Sequence, residues 1–137
     1  MHRLAERYTR ETGTPVAVDA TDGPLDRDAQ VVLLRVVQES LANIRAHADA
    51  GSVRIVLQHA PERVGVRVTD DGVGFDTGVP TAGHGLRGLH ERLALSRGAC
   101  TITSTPGRGT VVEASLPTGP EPSLQTVDRQ PVAEVTR

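Results

Sequence analysis

The 137-residue chain contains no lysine: all 15 of its Lys/Arg positions are arginine. A Walker-type phosphate loop, which must end in G-K-[ST], is thereby excluded. Tryptophan is absent too, and Tyr8 and Phe75 are the only aromatic side chains. That is too few for the stacking platforms on which single-stranded nucleic acid is held. A formal net charge of −2 also argues against direct nucleic-acid binding, which goes with a basic excess. Cys100 stands alone, so no disulfide can form within the chain, and this usage suits a reducing compartment. No apolar run approaches the roughly 18 residues of a membrane-spanning helix. A soluble segment with no membrane contact of its own is expected, with room for one core.

What is present is periodic. Residues 1–13 read as a helix that stops at Gly13, and PVAVDA (15–20) alternates as a strand does. After the turn TDGP, the longest periodic segment runs from Leu25 to about Ala48. In it Leu34, Val37, Leu41, Ile44 and Ala48 fall on one helical face. Val53, Ile55 and Leu57 alternate in one strand and Val64, Val66 and Val68 in the next. The segment HAPER (59–63) between them predicts an antiparallel hairpin. TGVPTAG (77–83) is a loop, and Gly85 to about Arg97 a helix closed by Gly98. ACTITSTP and GTVVEASLP are strands joined by the turn PGRG. The polar, proline-bearing stretch 118–137 is expected to be a disordered tail. The order helix, strand, helix, strand, strand, helix, strand, strand predicts an α/β two-layer sandwich over residues 1–117. Its helices would cover one face of a mixed sheet.

Three short segments carry residue types suited to chemistry. On the long helix Glu39, Asn43 and His47 recur every fourth residue, on a face turned about 140° from the apolar stripe. Such a row is either a solvated helix face or a set of oxygen donors for a hard cation and its phosphates, with a carboxylate able to act as a base. TDDGVGFD (69–76) follows a strand directly. Asp70 is an acceptor-only carboxylate at the strand end, suited to an exocyclic amine, and Gly72 and Gly74 permit close backbone approach. A plain Asp-Gly turn fits equally well, whereas the spacing of a calcium loop is missing.

GHGLRG (83–88) spells the glycine pattern of a dinucleotide-binding turn, but it follows a breaker-rich loop and not a strand. What survives is a glycine-rich helix start whose free N–H groups suit an anion, with His84 and Arg87 as further donors.

QESLANIRAHADA, TDDGVGFD, GHGLRGLHERL and PGRGTVVEASLP, in that order, resemble the ATP-binding catalytic domain of bacterial sensor histidine kinases. The subfamily most similar is the one paired with helix-turn-helix response regulators. The resemblance covers about residues 1–117 and implies the Bergerat α/β sandwich, shared with type II topoisomerases, mismatch-repair ATPases and heat-shock chaperones. It implies ATP and Mg2+ as cofactors, with Asn43 on the Mg2+ that bridges the phosphates. Glu39 would assist phosphoryl transfer, and His47 would lie near the phosphates. Asp70 would read the adenine amine, with Gly72 and Gly74 admitting the base and Thr110 supporting Asp70 through a water. Gly83, His84, Gly85, Leu86, Arg87 and Gly88 would form the ATP lid and the helix start behind it. The implied partners are a histidine-bearing dimerisation domain of the same kinase and a response regulator. The implied location is cytoplasmic, in a longer protein of a kind that can carry a membrane tether.

The chain departs from this pattern in two places. Ala46 stands where the subfamily carries Lys or Arg before the histidine, with Arg45 about 100° around the helix. None of His2, His47, His59, His84 or His90 lies in a phosphoacceptor context. The chain is therefore expected to bind ATP without completing a kinase cycle, as one piece of a larger sensor. An anti-sigma-factor serine kinase and a nucleotide-binding module without catalysis remain as alternatives.

Overall fold

The structure is a computed structural model and describes residues 1–23, 25–47, 49–74 and 84–118; for His47 and residues 84–87 it describes the backbone alone. The elements follow the predicted order: α1 (His2–Thr12), β1 (Val16–Ala20), α2 (Arg27–His47), β2 (Val53–Ala60), β3 (Arg63–Asp70), α3 (His84–Leu95), β4 (Ala99–Thr105) and β5 (Gly109–Pro117). The strands form one sheet in the order β1-β2-β3-β5-β4. β1 runs parallel to β2, and every other neighbouring pair is antiparallel. This is the expected two-layer sandwich with a mixed sheet.

Local rules explain most of the boundaries. Gly13 takes the left-handed conformation (φ 80°) that ends α1, and its N–H bonds the Thr9 carbonyl. Asp26 caps α2, its Oδ1 accepting the Ala29 N–H at 2.8 Å. The hairpin turn is tighter than HAPER suggests: β2 and β3 close on Pro61 and Glu62 alone, with Glu62 at φ 65°. Proline at the first corner and a positive φ at the second are the chemistry of a two-residue reversal.

One face of the sheet is buried. Val53, Ile55, Leu57, Val64, Val66, Val68, Val112, Ala114 and Leu116 alternate inward and meet Leu89 and Leu93 of α3 and the inner side of α2. The α2 stripe is not centred where the apolar spacing placed it. Leu33, Val36, Val37, Ser40, Leu41 and Ile44 are buried, whereas Leu34 is only partly so, about 100° from the stripe centre, and Ala48 lies outside the described residues. Ser40 misled the count: a polar residue at the middle of the stripe, 1% exposed, with its Oγ unpartnered.

The end of α3 differs from the expectation as well. The left-handed residue is Arg97 (φ 61°), not Gly98. Gly98 is required for another reason, because a Cβ there would sit 2.5 Å from Leu116 Cδ2 and 2.7 Å from the Ser115 carbonyl oxygen. Gly88, by contrast, lies within α3 with open space where a Cβ would go. Gly88→Ala is accordingly expected to stabilise the domain by about 0.5–1 kcal/mol, the propensity difference in a helix. A lowered urea midpoint would contradict this. The loop 77–83 and the tail from 119 onward lie outside the described residues.

Candidate functional site

Asp70 is the last residue of β3 and Thr110 the second of β5, and the antiparallel register sets them opposite each other. Val53 flanks Asp70 on one side, and Ser104 flanks Thr110 on the other. Asp70, Thr110 and Ser104 make this cross-sheet row polar where the rows behind it are aliphatic. Asp70 and Thr110 are 4% and 5% exposed. The Gly72 N–H donates to Asp70 Oδ1 at 2.8 Å. Burial pushes the Asp70 carboxyl above its ordinary value, and the neighbouring Asp71 charge adds to this. The Gly72 and Thr110 backbone N–H groups act in the opposite sense.

Asp71 has the opposite environment. Exposed, it accepts hydrogen bonds from the Gly51 N–H (2.8 Å), the Ser52 N–H (3.0 Å) and the Ser52 hydroxyl (3.0 Å). The Ser52 bonds first, then that of Gly51, hold its carboxyl below the ordinary value. The carboxylate thus ties the connection after α2 to the turn after β3. A depressed folded-state pKa contributes stability above the ordinary aspartate range, near pH 4, that is lost as pH falls through the lower folded value. Asp71→Asn is expected to flatten the acid limb of the stability profile. An unchanged slope of melting temperature between pH 5 and pH 2 would count against the tie.

The turn after Asp70 is packed, backbone on backbone, against the β4–β5 turn. The Gly107 N–H donates to the Val73 carbonyl. A Cβ on Gly74 (φ 67°) would lie 2.2 Å from the Thr105 carbonyl oxygen, and one on Gly109 (φ 89°) 2.1 Å from that of Asp70. The close approach that Gly74 permits is therefore made, in this structure, to the chain's own turn.

On α2, Asn43 lies about 80° and Glu39 about 120° from the stripe centre, so both are half-buried at its flank and not on the opposite side. Glu39 opens onto a groove of about 380 Å3 between α1 and α2, lined also by Tyr8, Glu11, Arg35 and Arg45. Arg45 is engaged there: its Nη1 pairs with Glu11 Oε1 at 2.9 Å. It is thus held on the α1 side. Tyr8, on α1, is buried beside this groove. Burial raises its pKa, while the Arg45 charge lowers it and that of Asp70 raises it.

The structure therefore joins Asp70, Gly72 and Thr110 by direct contacts, sets Gly74 against Thr105 and Gly109, and places Glu39 and Asn43 together on α2. His47 closes α2, and His84, Gly85, Leu86, Arg87 and Gly88 form the first turns of α3, the side chains of His47 and 84–87 lying outside the described atoms. Gly83 lies outside the described residues. Among those described, no group of three or more His, Cys, Asp or Glu side chains could hold a metal ion. Nor is any helix among them long and apolar enough to cross a membrane. Sequence reasoning missed Asp71, Ser104, Gly109 and Tyr8. Only Ser104 was within its reach, by counting outward from the PGRG turn to the partner of Thr110.

The fold is a two-layer sandwich with a buried, amide-held aspartate at a strand end and a helix carrying Glu and Asn one turn apart. Comparison with known proteins gives the class: residues 28–120 match the family described as histidine kinase-, DNA gyrase B-, and HSP90-like ATPase. The chain belongs to that family. It is 28% identical over 119 residues to the sensor histidine kinase LiaS of Bacillus subtilis, covering 86% of this chain and 33% of LiaS. It is 40% identical over 93 residues to the histidine-protein kinase/phosphatase UhpB of Salmonella typhimurium, covering 68% of this chain and 18% of UhpB. The chain thus spans about a third or less of these relatives. In fold it is similar to the blue-light activated histidine kinase of Erythrobacter litoralis (TM-score 0.72, 23% identity, 85% of this chain and 40% of that one). It is also similar to the mycobacterial sensor histidine kinase MprB (TM-score 0.66, 23% identity, 85% and 90%).

Proposed function

We propose that the chain is the ATP- and Mg2+-binding catalytic domain of a sensor histidine kinase. It would donate the γ-phosphoryl group to a histidine on a separate dimerisation domain, for relay to a response regulator. The observation that carries this reading is the buried Asp70 carboxylate at the end of β3, an acceptor held by the Gly72 N–H on Oδ1 and by the Thr110 backbone N–H. A buried acceptor of this kind suits an exocyclic amine.

The donors on α2 fit Mg2+ bound together with phosphates, a mode that takes only one or two protein oxygens. Asn43 would supply the amide oxygen and Glu39 would assist transfer, with His47 near the phosphates. Residues 83–88 would cover the phosphates at the start of α3, where free N–H groups favour anions. Bound Mg2+ supplies neutralisation of phosphate charge; the protein's part is positioning and electrostatics.

The test is incubation with labelled ATP and a separately supplied acceptor-helix domain. Label on a histidine of that domain supports the reading; label on a serine of an anti-anti-sigma partner supports a switch kinase instead. Binding without transfer supports a regulatory nucleotide module, a reading favoured specifically by Ala46 and by the engagement of Arg45 with Glu11.

A further inference from the structure

Between Ile44, the last buried residue of α2, and Val53, the first of β2, no described residue is buried, and Ala50 is only half-buried. Core packing therefore fixes α2 as far as Ile44 and β2 from Val53. The last turn of α2 and the connection behind it are left to polar contacts. Arg45 reaches Glu11 from the start of that turn, and the Thr14 hydroxyl meets the Ala50 carbonyl at a long 3.5 Å. The most extensive hold is that of Asp71. Its Oδ1 accepts the Gly51 and Ser52 N–H groups, its Oδ2 accepts the Ser52 hydroxyl, and its own N–H donates to the Ser52 carbonyl at 3.4 Å. Three donors on one ionised carboxylate fix orientation as well as distance.

The two segments so joined serve opposite ends of one ligand. Asp71 stands between Asp70 and Gly72, the residues assigned to the base, and Gly51 comes four positions after His47, assigned to the phosphates. We propose that Asp71 is a positioning residue for the phosphate end of the nucleotide, which holds the connection after His47 at a fixed span from the turn that receives the base. The inference rests on the ATP-binding reading above and goes further, giving a share in phosphate affinity to a carboxylate that acts through Gly51 and Ser52. A base and a triphosphate on one molecule reinforce each other only where their two subsites stand at the ligand's own span. With the span free to vary, the base still binds and the phosphates add less.

The test measures adenosine and Mg2+-ATP binding by calorimetry on the full chain, since the ratio of the two affinities isolates what the phosphates add. The wild type is expected to bind ATP well above adenosine. Asp71→Ala removes all three side-chain bonds; it should narrow that ratio about tenfold or more and leave adenosine affinity within about twofold. Asp71→Asn should recover most of the loss, because its amide oxygen can accept both N–H groups and its NH2 can donate to the Ser52 hydroxyl. Ser52→Ala removes the Oδ2 bond alone and should narrow the ratio about two- to fivefold. It carries the test if Asp71→Ala does not fold.

Equal weakening of both ligands would make Asp71 merely structural, and an unaltered ratio in every variant that folds would remove it from the site. Either result overturns the inference while ATP binding itself stands. A wild-type chain that binds neither ligand would overturn the ATP reading and this inference with it.

Discussion

Asp70→Asn is expected to lower ATP affinity by roughly a hundredfold or more, while the unliganded domain becomes no less stable at neutral pH. The Gly72 N–H bonds the Oδ1 position and requires an oxygen there. The amide of an asparagine is therefore oriented with its NH2 group where Asp70 has Oδ2. A donor then faces the donor amine of the base, and a charge-assisted hydrogen bond is replaced by an opposed pair.

Stability should move the other way. Burial, reinforced by Asp71, raises the folded-state pKa of Asp70 despite the Gly72 and Thr110 amides. A raised pKa means stability that is fully present below the unfolded value, near pH 4, and lost as pH rises through the folded value. Asparagine has no ionisation to lose. The difference in melting temperature between variant and wild type should therefore grow in the variant's favour from pH 3 to pH 7, opposite in sign to the Asp71 effect. Unchanged ATP affinity by calorimetry, or a variant clearly less stable at pH 7, would sink this account of Asp70.

Gly109→Ala is expected to cost about 3 kcal/mol or more and to unfold a large share of the domain at ambient temperature. The φ of 89° is rarely adopted by residues with a side chain, and the added Cβ would lie 2.1 Å from the Asp70 carbonyl oxygen and 3.1 Å from Asp71 Cα. Both obstacles are backbone, and neither can rotate away. The clash would force β5 from β3 at the point where Thr110 meets Asp70, so any folded remnant should also bind nucleotide poorly. Gly107→Ala is the control: its φ is 82°, but nothing lies within 4 Å of the new Cβ. It should cost only about 1–2 kcal/mol, for the conformation alone. Equal urea midpoints for the two variants would show that the close contact at Gly109 does not matter.

The element order and the antiparallel hairpin were legible because each follows from a local rule: strands alternate every second residue, helices every 3.6, and Gly13 ends a helix by its left-handed conformation. The family was legible only from the segments in company, because a D-G turn or a polar helix face is common and the ordered set of segments is not. The α2 face was misjudged because Ser40 and Leu34 invert the usual rule: a hydroxyl sits at the centre of the core and a leucine at its rim. Burial is decided by the surface a helix packs on, which its own periodicity only approximates.

The sequence by itself determined the elements, their order and the segments that mark the family, since these depend on side chains near one another along the chain. Tertiary structure alone decided how those residues are tuned. Asp71 reaches back to Ser52, Arg45 is engaged by Glu11 on another helix, and Gly109 leaves room for the Asp70 carbonyl. Each of these contacts joins segments far apart in sequence, where no spacing rule operates. The first forms across the β2–β3 pair, the second between α1 and α2, and the third only where β5 lies beside β3.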